Sequence, residues 1–107
     1  EKILTNAQED ETSTLVKFSK AYRFEGKDYT EVDLSGMDDL SAEDMIAADR
    51  YLTRSGSFSV MPEMTLEYAC FIAARAAKQP IEFFRGLPPK DALKVKNRVT
   101  SFFYSED

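Results

Sequence analysis

The side chains that most often perform catalysis are scarce in this sequence. None of the 107 residues is histidine, so the commonest general base and the commonest metal ligand are missing. The single cysteine, Cys70, lies in the most apolar stretch, where a thiol is more often a small buried side chain than a nucleophile. Four glycines in all leave little from which to build a phosphate-binding loop. We therefore expect a non-catalytic protein with no cofactor.

Carboxylates cluster around a predicted helix start. Acidic pairs at 38–39 and 43–44 flank Ser41, and together they could hold a hard cation. However, residues 33–44 lack the alternating ligands, the central glycine and the closing glutamate of an EF-hand loop. Acidic side chains beside a helix N-terminus are explained by the helix dipole and by a capping box between Ser41 and Asp44. We expect capping and solubility here, and no metal.

Paired aromatics and a basic stripe remain as groups that could bind a partner. Neighbouring residues on a helix point about 100° apart, so the pairs at 83–84 and 102–103 either make a wide core contact or expose one ring for docking. Basic residues also recur every four positions on the predicted wet face of the last helix. The predicted partner-binding residues are Lys90, Lys94, Arg98, Phe102 and Phe103.

The charge distribution restricts the class of partner. The net charge is −5, which disfavours nucleic acid and anionic membrane surfaces. Residues 25–49 carry nine acids and one base (−8), whereas residues 71–98 carry seven bases and two acids (+5). These are either solvated faces paired within the fold or a dipolar surface that orients a protein partner or lets copies associate head to tail. A lone cysteine also favours a reducing cytoplasm.

Hydrophobic periodicity predicts an α+β domain. Residues 1–13 are polar and acidic and predict a flexible tail, and residues 14–107 predict a single domain. Alternating apolar residues predict strands on both sides of Gly26, hence a β-hairpin. An odd-length loop would place Val32 on the same face as Phe18, so we expect a three- or five-residue loop with a glycine bulge.

Four helical segments follow the predicted hairpin. Ser41 is expected to cap the first, whose buried face contains Met45, Ala48 and Leu52. The second starts near Pro62, and its alanine-rich body at 66–77 is apolar almost all round, as expected for a central helix. A short third helix covers 81–85, and the last runs from the proline pair at 88–89 to about residue 103. Such helices would cover one face of the hairpin.

The order of these features resembles the tail assembly chaperones of long-tailed bacteriophages and prophages. In that family a hairpin with a Gly-Lys turn, an aromatic residue and Thr-Glu-Leu precedes a helix that starts with Leu-Thr/Ser-x-x-Asp. The corresponding stretches here are GKDYTEV at 26–32 and LSAED at 40–44. An alanine-rich helix (68–74) and a closing segment (87–103) follow, so that the resemblance spans residues 14–104.

The resemblance implies a function. Members are small cytoplasmic proteins that bind the tape measure protein during tail assembly and are absent from the mature virion; tail tube protein is a second implied partner. No invariant functional residue is carried over. The alternative is a tail-completion or head–tail adaptor protein that stays in the virion. A nucleic-acid regulator or an enzyme is the third reading, against which the acidic balance and the missing histidine both count.

Overall fold

The computed structural model describes residues 14–56 and 65–104. Its elements are β1 (Leu15–Phe24), β2 (Lys27–Asp33), a 3-10 helix (Ser35–Asp39), α1 (Ala42–Arg54), α2 (Leu66–Ala77), α3 (Ile81–Arg85) and α4 (Pro89–Tyr104). A two-stranded antiparallel hairpin is therefore followed by helices, which confirms the predicted α+β class. The predicted tail at 1–13 and the predicted helix start at Pro62 lie outside the described residues.

The hairpin loop is shorter than predicted. Phe24 pairs with Lys27, so the loop has two residues, Glu25 and Gly26, with φ of 50° and 82°. Positive φ at both positions is typical of a type I′ turn, which glycine adopts without steric cost. The prediction of an odd-length loop was wrong.

The offset between the two strands comes instead from an irregularity within β1. Lys17 pairs with Glu31 and Tyr22 with Tyr29, so four residues of β1 stand opposite one of β2. The three extra residues give the offset that the hydrophobic pattern requires, because an odd number of inserted residues exchanges the faces of a strand. As a result the Val16–Val32 pair is buried in the core, and the Tyr22–Tyr29 pair packs against it.

Local signals account for the bounds of the helices. Ser41 and Asp44 form a reciprocal capping box at the start of α1, as predicted. Thr65 accepts a hydrogen bond from the Tyr68 backbone N–H at the start of α2. Pro80 precedes α3 and Gly86 ends it, in agreement with the sequence prediction. The 3-10 helix before α1 was not predicted.

Helix α2 forms the centre of the structure, as its composition predicted. Seven of its twelve residues are buried, and most are alanines that allow close approach by other elements. The 3-10 helix approaches α2 closely at Gly36. A Cβ on this glycine would fall well inside van der Waals contact of the Ala76 carbonyl oxygen. Gly36 is therefore required by this packing and not by its backbone conformation.

Phe83 of α3 joins the hairpin to the helices. Its ring is fully buried and makes edge contacts with Tyr22, Phe24 and Tyr29 at centroid distances of 4.9–5.2 Å. The Tyr22 hydroxyl donates a hydrogen bond to the Phe83 carbonyl oxygen over 2.8 Å. Phe84 is also buried, so this aromatic pair is a wide core contact, the first of the two predicted alternatives.

Candidate docking surface

The structure divides the predicted basic stripe into three different environments. Lys90 is exposed, the side chain of Lys94 is about one-third exposed, and Arg98 is 6% exposed. The prediction that all three form the wet face of α4 was therefore wrong for Arg98. The physical reason is rotational drift: two four-residue steps turn about 80° around a helix axis, which brings Arg98 onto the buried side.

Lys94 and Asp91 attach α4 to the hairpin. The Asp91 carboxylate is fully buried and accepts hydrogen bonds from the Ser19 backbone N–H (2.9 Å) and the Ser19 hydroxyl (3.1 Å). Lys94 Nζ lies 3.9 Å from Asp91 Oδ1 and donates a hydrogen bond to the Lys17 carbonyl oxygen over 2.8 Å. Ser19 lies within the irregular part of β1, where ladder pairing is interrupted. The Asp91 carboxylate thus accepts a hydrogen bond from a backbone N–H in the part of β1 that is out of register with β2.

Phe102 and Phe103 lie at the opposite end of α4. Phe102 comes twelve positions after Lys90, which is about 18 Å along the helix axis. The two rings are half-buried and contact each other at 5.8 Å, and Phe103 also contacts the ring of Tyr68 at 6.0 Å. The structure therefore does not bring the predicted basic and aromatic residues together in one patch.

The two phenylalanines line an open groove of about 330 Å³ between the end of α4 and the start of α1, which we call the 102/103 groove. Its other lining residues are Met37, Leu40, Ser41, Ala42, Met45 and Ile72. Met37 and Ile72 are buried and form its floor, whereas Met45 is 38% exposed at its edge. Met45 was predicted to lie on the buried face of α1, and the groove explains why it is exposed instead.

A second groove lies on another part of the helical layer. It has a volume of about 290 Å³ and is lined by Tyr51, Phe71, Ala74, Arg75, Gln79 and Ile81. The Arg75 guanidinium stacks 5.0 Å from the Phe71 ring and bonds Asp44 over 2.7 Å, and Arg85 bonds the Tyr51 hydroxyl. Two of its polar side chains, Arg75 and Tyr51, are therefore already paired within the fold.

The described residues show where reactive groups lie. Burial raises the pKa of the Cys70 thiol to about 11, so the thiolate is disfavoured at neutral pH. In the segments 14–56 and 65–104, no three His, Cys, Asp or Glu side chains are close enough to hold a metal ion together. Across the same two segments, no helix is long and apolar enough to cross a membrane.

Sequence reasoning missed most of the 102/103 groove. Phe102 and Phe103 were predicted as binding residues, but their neighbours Met37, Leu40 and Met45 were not. One signal was available: methionine is frequent at adaptable binding surfaces, and the segment 35–49 combines two methionines with five acids. Comparisons of the chain with protein-family models, curated protein sequences and solved structures find no match.

Proposed function

We propose that this protein is a non-catalytic phage tail assembly chaperone that binds a helical segment of the tape measure protein in the host cytoplasm. The order of sequence motifs over residues 14–104 supports the family, and the 102/103 groove supports a binding role. The binding role depends mainly on one observation: two adjacent aromatic side chains remain half-buried beside an open apolar groove. Aromatic rings that line such grooves commonly anchor a partner helix.

The groove would cover an apolar surface that the tape measure protein exposes before it assembles. Long helical proteins expose apolar stripes before they assemble, and such stripes aggregate. Covering one stripe with a small acidic domain would reduce the exposed apolar area and add net negative charge to the complex. Tail tube protein remains a second predicted partner.

Co-expression with the tape measure protein of the same operon tests the proposal. We expect a soluble complex that co-purifies and that does not form when this protein is omitted. An insoluble tape measure protein with no co-purification would contradict the proposal and favour the virion adaptor, for which this chain would then be sought in purified particles.

A matched pair of variants tests the role of the groove. Met45 lines the groove and is 38% exposed, whereas its neighbour Ile46 is 49% exposed and does not line it. We expect Met45→Ser to weaken capture of the tape measure protein and Ile46→Ser to leave it unchanged. Equal effects of the two substitutions would show that binding uses another surface, even if the chaperone function holds.

A further inference from the structure

The charge around the 102/103 groove indicates what kind of helix it binds. Residues 35–49 contain five acids and no base, and this segment supplies five of the eight residues that line the groove. Asp38, Asp39 and Glu43 are exposed, and each is next in the chain to a residue that lines the groove. Within the described segments 14–56 and 65–104, none of these three forms an ion pair. We call them the acidic rim.

The remaining charged groups near the groove do not neutralise the rim. Asp44 is held by the Ser41 backbone N–H and by Arg75, so this acid and this base satisfy each other. The opposite wall, residues 99–104, carries no charge. Arg98, one turn earlier in α4, is buried. The two segments that line opposite sides of the groove, 35–49 and 99–104, therefore carry acids and no base.

We infer that the 102/103 groove binds the apolar face of an amphipathic helix whose flanking residues are lysine and arginine. This inference rests on the proposed partner-binding role of the groove and specifies the chemistry of its partner. The apolar floor takes side chains spaced at i, i+3, i+4 and i+7, and the acidic rim pairs with basic residues beside that stripe. Two methionines, Met37 and Met45, adapt the groove to different apolar side chains. Complementary charge sets the orientation and speeds association.

A peptide pair tests the inference without the tape measure protein. The probe is a synthetic amphipathic helix of leucine and lysine, and its counterpart carries glutamate in place of every lysine. Binding of each labelled peptide to the full chain is measured by fluorescence anisotropy. We expect the lysine peptide to bind at least about tenfold more tightly, because like charges oppose the glutamate peptide at the rim.

Two charge-matched triple variants separate the rim from general attraction. The rim variant carries Asp38→Lys, Asp39→Lys and Glu43→Lys. The control variant carries the same change at three exposed acids away from the groove: Glu25→Lys, Glu31→Lys and Glu82→Lys. Each raises the net charge by six, from −5 to +1. We expect the rim variant to bind the lysine peptide about tenfold more weakly. The control should change affinity less than about threefold, because charges far from the bound peptide act on it only through interactions that solvent and salt screen.

The outcomes separate this inference from the proposed function. Equal losses in the two triple variants, or equal affinity for the two peptides, would overturn the inference. So would sedimentation showing that copies of this chain occupy the groove, with Met45→Ser abolishing the association. If the tape measure protein is still captured in any of these cases, the chaperone function stands and only the chemistry of the partner is wrong. Preference for the lysine peptide with loss confined to the rim variant supports the inference.

Discussion

Replacing Asp91 tests how the hairpin is held to the helices. Asp91 is fully buried, and both of its carboxylate oxygens accept hydrogen bonds from Ser19 in β1. Asp91→Ala removes both hydrogen bonds. It also removes the negative charge beside Lys94, whose ammonium lies 3.9 Å from the carboxylate. The hairpin then keeps its ring contacts with Phe83 and the bond from Lys94 to the Lys17 carbonyl oxygen, but it loses both of its hydrogen bonds to Asp91.

The size of the effect follows from the contacts. A hydrogen bond to a charged group contributes about 1.5–3 kcal/mol, so the two bonds give about 3–6 kcal/mol before compensation. Ser19 is exposed, so water recovers part of this, and the variant no longer has to bury a charge. We expect a net loss of about 3 kcal/mol, which lowers the Tm of a domain of this size by about 12–24 °C.

Urea unfolding and thermal unfolding, each followed by circular dichroism, measure the loss. Ser19→Ala removes only the hydroxyl bond and should cost about 1 kcal/mol, with little further loss when it is added to Asp91→Ala. Asp28→Ala is the control, since its ion pair with Arg23 is exposed at both ends and should contribute under about 1 kcal/mol. If Asp91→Ala cost no more than Asp28→Ala, the proposed attachment of the hairpin by Asp91 would be refuted.

Three further predictions concern other parts of the fold. Burial raises the pKa of Cys70 from 9.0 to about 11, so the thiol should resist maleimide at pH 8 until urea unfolds the chain, and rapid labelling of the native protein would contradict this. Its contribution to stability should fall as the pH rises from 9.0 to about 11, because the unfolded chain loses the thiol proton first. The pKa of Asp44 is lowered, chiefly by the hydrogen bond from the Ser41 backbone N–H, so Asp44 stabilises the fold above its ordinary pKa of 3.8 and ceases to do so as the pH falls through the folded pKa. The urea midpoints of the wild type and Asp44→Ala should therefore converge in acid, and a difference that stays constant with pH would contradict this prediction. Gly36→Ala should lower the free energy of unfolding in urea by about 1–3 kcal/mol, because the added methyl meets the Ala76 carbonyl, and no loss would mean that the 3-10 helix shifts freely. Gly56→Ala is the comparison: its side chain would meet open space, so its φ of 87° tests backbone strain alone.

The sequence was sufficient for those features that neighbouring residues control. The capping box of Ser41 and Asp44, and the bounds of α3 between Pro80 and Gly86, agree with prediction. Each depends on hydrogen bonds or fixed dihedral angles within a few residues, so the information is local. The α+β class followed for the same reason, because the change from a two-residue to a 3.6-residue hydrophobic period is visible along the chain.

The candidate site was predicted only in part. Phe102 and Phe103 lie in the 102/103 groove, but Lys90 lies at the other end of α4 and Arg98 is buried. A four-residue spacing suggested one basic stripe, yet the drift of about 40° per step left the direction of Arg98 to be decided by what packs on the helix. Most of the residues that complete the groove come from a segment some sixty positions earlier in the chain, and no local pattern connects them to the phenylalanines.

By itself, therefore, the sequence determined which segments become strands or helices and where most of them start and stop. It also indicated that Phe18 and Val32 share a face of the hairpin, but it wrongly assigned the offset behind this to an odd-length loop. Only the tertiary structure decided that the offset lies within β1, because Asp91 of α4 supplies the partner for a Ser19 N–H that would otherwise lie out of register. It likewise decided that Met45 faces an open groove, because that groove forms where the 3-10 helix, α1, α2 and the end of α4 meet. Local hydrogen bonding sets the elements, whereas the sharing of buried surface between distant elements sets the site.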